Sequence, residues 1–271
     1  MNSKKIAFLG VGNMASAVIT ANGGGNVQFN DIILYDKYPK NFERFTDKGA
    51  IAANSVSEAL EMSDYVFMAV KPQDYYTLMS EIKACSGYQN KIYISIGAGI
   101  TVKAVSDYLN CDKVVRALPN TPMLIGKGVS AVCRNNLIPE NDYVLARSLF
   151  ESAGSVIEIE EAEMNRIIGV TSSSPAYVFE FINSMVEGAK AQGLNGDELI
   201  SVICDVVAGS ALLLKSSQKH PNEMTAMVAS KGGTTEQALK ALDENQFSQT
   251  IQKAMIACTH RADELGKINQ K

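Results

Sequence analysis

Six residues near the N-terminus have the types and spacing of a phosphate-binding turn. Residues 10–15 read GVGNMA, follow a short apolar run and open a helical pattern. Gly10 permits a tight turn, Gly12 lets the backbone approach a pyrophosphate, and Ala15 allows a helix to pack closely on a strand. The N-terminus of that helix then faces the anion. In this context the motif predicts a dinucleotide site rather than an ordinary glycine turn, with contacts from Gly10, Gly12, Asn13, Met14 and Ala15.

A carboxylate closes the second predicted strand. Asp36 stands where an acidic residue accepts hydrogen bonds from the adenosine ribose hydroxyls of NAD. Lys37, Lys40 and Arg44 follow closely and could pair with the 2′-phosphate of NADP. A solvated carboxylate at a strand end is the alternative interpretation of Asp36. The sequence therefore predicts a nicotinamide cofactor and leaves the choice between NAD and NADP open.

A second anion-binding turn is predicted near the C-terminus, where residues 230–236 read SKGGTTE. Two glycines before a helix start leave backbone N–H groups free, and such a helix N-terminus binds a carboxylate as readily as a phosphate. We predict that Gly233, Thr234 and Thr235 bind a substrate carboxylate, with Ser230 as a side-chain donor. Lys231 adds positive charge. A plain helix cap is the alternative interpretation.

The elements that position these turns divide the chain into two halves. Up to residue 158, short apolar runs alternate with helical patterns, which is the signature of βαβ units around a mainly parallel sheet. The predicted strands are residues 6–9, 32–35, 65–70, 92–96, 114–118, 129–133 and 156–159. After Glu160, segments with helical periodicity cover residues 161–192, 196–216, 234–243 and 246–267. We predict an α/β dinucleotide-binding domain over 1–158 and a helical domain over 159–271.

The segment over residues 199–214 is apolar on nearly every face. A helix of that kind must be covered on all sides, so we predict a buried helix, with a second copy of the chain supplying part of the cover. Because the segment contains Asp205 and Gly209 and is shorter than the roughly 20 residues of a membrane span, no membrane partner is expected.

Composition excludes several classes of function. The 271 residues include 25 basic and 29 acidic side chains, which disfavours general nucleic-acid binding. Five cysteines without a CxxC spacing indicate reduced thiols rather than a disulfide framework, and the apolar run at residues 6–9 is too short for a signal peptide. A cytoplasmic location is expected. The two histidines, His220 and His260, and the scattered cysteines have no ligand spacing, so no metal site is predicted.

Further motifs carry a family resemblance. Three follow predicted strands and two lie in the helical half: AVKP at 69–72, SIGAGI at 95–100, RALPNTP at 116–122, SPAY at 174–177 and GGTT at 232–235. With the N-terminal turn and in this order, they make the chain resemble the pyrroline-5-carboxylate reductases over essentially its whole length. These enzymes reduce 1-pyrroline-5-carboxylate to L-proline with NAD(P)H, the last step of proline biosynthesis.

The resemblance implies a Rossmann-like domain, a helical dimerisation domain and a homodimer, with larger assemblies of dimers left open. Thr235 matches the family's catalytic threonine, and we assign it orientation and polarisation of the imine nitrogen, because a hydroxyl is too weak an acid to donate the proton outright. Asn54 matches a position that contacts the cofactor ribose. The strand-end motifs add further predicted cofactor contacts at Val70, Lys71, Pro72, Ala98, Gly99 and Asn120.

Departures from the family pattern keep alternatives open. Residues 172–174 are all serine where Gly-Ser-Gly is usual, and Lys231 replaces a common proline. A related enzyme that reduces a different cyclic imine is one alternative, and a cofactor-binding regulatory protein without turnover is another. A β-hydroxyacid dehydrogenase has the same domain order. Those enzymes share a catalytic lysine on the long interdomain helix, and residues 167–184 contain no lysine, which argues against this alternative. Pro175 is expected to kink a long helix.

Overall fold

The computed structural model describes residues 4–268, and within them eight strands form a single sheet. The strands are β1 Ile6–Leu9, β2 Ile32–Tyr35, β3 Ile51–Ala52, β4 Tyr65–Met68, β5 Ile92–Ser95, β6 Val114–Leu118, β7 Gly128–Arg134 and β8 Gly154–Glu158. Their spatial order is β3-β2-β1-β4-β5-β6-β7-β8. Adjacent strands are parallel except β6 and β7, which are antiparallel. The predicted α/β half with a mainly parallel sheet is confirmed.

Helices connect the strands and follow the last strand, β8. They are α1 Asn13–Asn22, α2 Glu43–Thr46, α3 Val56–Glu61, α4 Tyr75–Lys83, α5 Val102–Leu109, α6 Glu140–Glu151, α7 Met164–Ile167, α8 Ser174–Ala191, α9 Leu199–Ser217, α10 Pro221–Val228, α11 Thr234–Glu244 and α12 Phe247–Ile268. The part of the chain after β8 is helical, as predicted. Helix α10 and the two-residue strand β3 were not predicted.

Both faces of the central part of the sheet are buried. In β1, Ile6 and Phe8 pack into one core cluster, whereas Ala7 and Leu9 pack into a second cluster. Successive side chains of a strand point to opposite faces. Strands β1, β2 and β4 are apolar at almost every position because both of their faces are covered, and they appear in the sequence as continuous apolar runs.

The expected kink at Pro175 is wrong, because the helical segment predicted over residues 161–192 is interrupted before the proline. Helix α7 ends at Ile167, and α8 begins at Ser174, so Pro175 lies in the first turn of a new helix. A proline is tolerated there because the N–H groups of the first turn have no partner within the helix.

The chain forms two compact units. One runs through Ser173 and includes the chain from Ala257 onward, and the other is Ser174–Ile256. The predicted boundary between residues 158 and 159 follows the end of β8 at Glu158 and differs from this division. The assignment of domains to 1–158 and 159–271 stays a prediction.

The helical unit buries few of its own side chains. Of the described residues, α8 buries Val186, α9 buries Ile203, and α10 and α11 bury none. The single chain therefore covers little of the helix at residues 199–214, which fits the expectation that a second copy of the chain supplies part of the cover. Among the described residues, α9 is the one helix that could cross a membrane by length and composition alone. Its apolar surface must be covered by something outside the chain.

Candidate active site

A cleft of about 420 Å³ opens beside the carboxyl ends of β1, β2 and β4. Its walls include Gly10, Gly12, Asp36, Val70 and Lys71. Strand β1 pairs with β2 on one side and with β4 on the other, so the order of the strands reverses at this point. Open parallel sheets bind ligands at such a reversal, outside the carboxyl ends of the strands.

The two glycines of the N-terminal turn serve different needs. Gly10 has φ +91°, and a Cβ there would lie 2.9 Å from the carbonyl oxygen of Ala69, so both the backbone conformation and the neighbouring strand require glycine. A Cβ at Gly12 would meet nothing within 4 Å. The space beside Gly12 is therefore open to a ligand, as a pyrophosphate lying against the backbone requires.

Helix α1 presents an open N-terminus beside this space. Its N-cap residue is Gly12, no side chain caps it, and no acidic residue lies in its first turn. Asn13 and Met14 form the start of the helix, and Ala15 is packed in the core at 1% exposure. The uncapped N–H groups and the positive end of the helix dipole suit an anion. These residues fit the pyrophosphate of a dinucleotide.

Asp36 is held in place by three hydrogen bonds. Its Oδ2 accepts from the backbone N–H of Val11 at 2.7 Å. Its Oδ1 accepts from the backbone N–H of Tyr38 at 2.8 Å and from the side-chain amide of Asn41 at 3.0 Å. The carboxylate thus links the end of β2 to the turn after β1, and it lies on the wall of the cleft. Sequence reasoning did not foresee the contacts with Val11 and Asn41.

Tyr75 fixes the ends of β4 and β5 and was missed by the sequence analysis. Its hydroxyl donates to the carbonyl oxygen of Met68 at 2.6 Å and accepts from the N–H of Ile96 at 3.2 Å. Burial raises the pKa of Tyr75 to about 12. Lys71 is the N-cap of the short turn that begins at Pro72 and leads into α4. Tyr75 therefore holds the ends of β4 and β5 together, next to the wall that carries Lys71.

Two predicted cofactor residues make close contacts within the protein. The backbone and side-chain N–H groups of Asn54 both donate to Oε2 of Glu58, at 2.8 and 2.9 Å, and hold the start of α3. Gly99 has φ +75°, and a Cβ there would lie 3.0 Å from the backbone nitrogen of Gly266 in α12. Glycine is needed at residue 99 because a helix passes so near. The roles of Asn54, Gly99 and the adjacent Ala98 at the cofactor stay predictions.

Asn120 is also engaged by the protein. Its side-chain amide donates to the carbonyl oxygen of Thr171 at 3.0 Å, and its side-chain oxygen accepts from the N–H of Val129 at 2.8 Å. The residue is buried at 7% exposure. Asn120 ties the loop after β6 to β7 and to the chain that leads into α8, and its contact with the cofactor stays a prediction.

The second turn, in the helical unit, has the local geometry of an anion site. Gly232 has φ +73° and donates its N–H to Oε2 of Glu236 at 2.7 Å. The N–H of Gly233 donates to the carbonyl oxygen of Ser230 at 3.0 Å. Helix α11 then starts at Thr234 with Gly233 as its N-cap and no side-chain cap. The first N–H groups of α11, including that of the half-buried Thr235, are directed to the turn.

Comparison with known proteins decides the family. The chain is 34% identical to the pyrroline-5-carboxylate reductase of Escherichia coli, over 97% of this chain and 99% of that protein. The enzyme of Aquifex aeolicus is 31% identical over 96% of this chain and 97% of its own. This chain belongs to the pyrroline-5-carboxylate reductase family.

Family models and a solved structure agree with that assignment. Residues 161–265 match the model for pyrroline-5-carboxylate reductase dimerisation, and residues 5–99 match the model described as NADP oxidoreductase, coenzyme F420-dependent. The pyrroline carboxylate reductase of Plasmodium falciparum, solved with NADP bound, superposes with a TM-score of 0.88. It is 26% identical, and the match covers 98% of this chain and 99% of that one. Membership of this family argues against the β-hydroxyacid dehydrogenase alternative.

A buried ionic network, not predicted from the sequence, holds the chain just after the sheet. Arg116, at 1% exposure, donates to Oε1 of Glu161 at 2.7 Å and to the side-chain oxygen of Asn165 at 3.1 Å. The thiol of Cys133 donates to Oε2 of Glu161 at 2.8 Å. Burial, with the adjacent Glu161 carboxylate second, raises the pKa of Cys133. Asn165 also donates to Asp263 of α12 at 2.8 Å. The network joins β6, β7, α7 and α12.

Proposed function

We propose that this chain reduces 1-pyrroline-5-carboxylate to L-proline, with NADH or NADPH as the reductant. The observation that carries the proposal is identity of about a third to enzymes of that name over nearly the full length of both chains. The open α1 N-terminus and the glycine turn beside it support binding of the dinucleotide.

The reaction adds a hydride to the imine carbon and leaves a proton on the imine nitrogen, so the C=N bond becomes the C–N bond of a secondary amine. The reduced nicotinamide supplies the hydride when it is bound. For an imine that binds already protonated, the chain needs to orient the substrate rather than provide a strong acid. Val70, Lys71 and Pro72, at the end of β4, are proposed cofactor contacts, with Gly10, Gly12, Asn13 and Met14 at the pyrophosphate.

The turn before α11 is the proposed substrate site. The N–H groups of Thr234 and Thr235 bind the carboxylate, because an uncapped helix N-terminus carries donors without intrahelical partners and positive potential. The N–H of Gly233 donates to the carbonyl oxygen of Ser230, so Gly233 contributes the shape of the turn that receives the carboxylate. Ser230 adds a side-chain hydroxyl. The hydroxyl oxygen of Thr235 accepts a hydrogen bond from the protonated imine nitrogen and holds the ring in one orientation. A fixed hydrogen-bonding group at the reacting atom contributes roughly 10²-fold to rate.

The chain acts as a homodimer formed through its helical part. The dimerisation model matches residues 161–265, which include α9. This helix exposes Ile200, Val202, Val206, Leu212 and Leu213, and a partner subunit gives these side chains the cover that the single chain lacks. We also propose a cytoplasmic location, which is supported by five cysteines that are all free thiols.

The test is oxidation of the reduced cofactor by the purified protein in the presence of 1-pyrroline-5-carboxylate, with NADH and NADPH run in parallel. We expect turnover with this substrate, and analysis of the product should identify L-proline. A six-membered cyclic imine carboxylate and a 2-hydroxy acid with oxidised cofactor are the comparison substrates. Preference for the larger imine would favour a related enzyme with a different substrate. Cofactor binding without turnover would favour the regulatory protein.

A further inference from the structure

We infer that Asp36 makes this chain select NADH over NADPH. The inference rests on the proposed function, since it concerns the reductant of the same reaction. It starts from the position of the carboxylate, on the wall of the cleft that also contains Gly10 and Gly12. In a sheet of this kind, an acidic residue at the end of the second strand accepts hydrogen bonds from the ribose hydroxyls of the adenosine.

The Asp36 carboxylate cannot easily turn away from a ligand. Its two oxygens accept from the N–H groups of Val11 and Tyr38 and from the side-chain amide of Asn41. A rotation that moved the charge out of the cleft would break all three bonds. Each carboxylate oxygen has about two acceptor positions. Both positions of Oδ1 are used, and Oδ2 has one position left. A ribose hydroxyl can therefore donate to Oδ2 while all three existing hydrogen bonds are kept. Asp36 can thus accept a hydrogen bond from a 2′-hydroxyl. Its negative charge cannot turn away from a 2′-phosphate and repels it.

The other charges of the cleft do not compensate. The charged residues on its walls are Asp36, Asp74, Glu81, Lys37 and Lys71, which leaves one negative charge in excess. A 2′-phosphate adds about −1.5 to −2 charges at neutral pH, and bringing like charges together is costly. The charge balance of the cleft therefore favours the cofactor without that phosphate.

Two cations that the sequence offered for a 2′-phosphate do not lie on the walls of this cleft. Arg44 packs its guanidinium 4.7 Å from the ring centroid of Phe45. Lys40 lies in the short turn over Pro39–Asn41, of which only Asn41 is on the described walls. The two cations on the walls are Lys37 and Lys71, and Lys37 stands directly beside Asp36 in the chain. Two lysines on walls that also carry three carboxylates do not form the cationic site that a 2′-phosphate needs.

The test is direct measurement of cofactor binding by isothermal titration calorimetry, without imine. We expect the wild-type protein to bind NADH roughly 30-fold more tightly than NADPH, a difference of about 2 kcal/mol. Asp36→Asn keeps an acceptor oxygen and removes the charge, and should reduce the ratio to about threefold or less, mainly by tightening NADPH. Asp107→Asn is the matched control. It removes an exposed carboxylate of α5 that pairs with Lys103, outside the cleft, and should leave the ratio unchanged.

A second variant keeps the inference testable should Asp36→Asn unfold. Lys37 is exposed and on the cleft wall, so Lys37→Glu should fold and widen the ratio further. Equal or tighter binding of NADPH by the wild type would overturn the inference while the proposed function stands. The inference would also be overturned if the preference for NADH over NADPH were unchanged in Asp36→Asn or did not increase in Lys37→Glu. Absence of binding of either cofactor would overturn the proposed function as well.

Discussion

Replacing Val206 in helix α9 with aspartate is expected to convert the dimer into an inactive monomer. The five large apolar residues that α9 exposes, Ile200, Val202, Val206, Leu212 and Leu213, are 58, 54, 54, 67 and 58% exposed in the single chain. Full burial of such a side chain contributes ~1.5–3 kcal/mol, so covering these exposed fractions contributes about 4–9 kcal/mol for each chain. That contribution is available to offset the cost of association.

The substitution acts twice in a symmetric dimer, because each chain brings the same surface to the interface. Each Val206→Asp change loses apolar burial and leaves an unpaired carboxylate, at a cost of at least ~2 kcal/mol. Two such changes weaken the dimer by about 4 kcal/mol, or roughly a thousandfold in Kd. Activity should fall with the dimer, because the turn before α11 lies in the same helical unit, which buries few of its own side chains.

The assay is light scattering after size exclusion at micromolar concentration, with cofactor oxidation measured on the same fractions. Val144→Asp is the matched control, because Val144 in α6 is also 54% exposed and lies outside the residues that match the dimerisation model. This control should remain dimeric and active. A folded, active monomer, either as wild type or as Val206→Asp, would refute the reasoning.

Three further outcomes are expected. Thr235→Ala should lower kcat by ~10–100-fold with unchanged cofactor affinity, because its hydroxyl is assigned to the imine nitrogen; Thr235→Ser should retain most of the rate, and an unchanged kcat in the alanine variant would reduce Thr235 to a helix cap. Gly12→Ala should keep the wild-type Tm, since its Cβ meets nothing within 4 Å. The same variant should weaken cofactor binding at least ~10-fold by calorimetry, because the added Cβ occupies the space of the pyrophosphate. Gly10→Ala should instead lose ~1–3 kcal/mol of stability, because residue 10 has a φ of +91°. Tyr75→Phe should lose ~0.5–1.5 kcal/mol in urea unfolding at neutral pH, because the carbonyl oxygen of Met68 loses the shorter of its two hydrogen bonds. The stability that comes from the raised pKa of Tyr75 is present below pH ~10 and is lost as pH rises towards 12, so the variant should show a shallower alkaline decline, and equal slopes would contradict this.

The sequence predicted strands β1, β2 and β4 because each is an uninterrupted apolar run. It failed where an element was too short or its end was ambiguous. Strand β3 has only two residues, Ile51 and Ala52, which give no period to recognise. The start of α8 was missed because a proline suits the first turn of a helix as well as a kink within one, and the choice between them is not local.

The sequence by itself determined the α/β half, the helical half and the two glycine turns, since each depends on residues that are neighbours in the chain. Only the tertiary structure decided what those residues touch. Gly99 is a glycine because Gly266 of α12 passes against it, and Asp36 is held by Val11 from the turn after another strand. Such contacts arise when distant segments pack together, and a pattern of local periodicity contains no record of which segments will meet. The sequence could therefore name the types of residue a nicotinamide site needs, whereas packing fixed the orientation of Asp36 and left the surface of α9 for a second chain to cover.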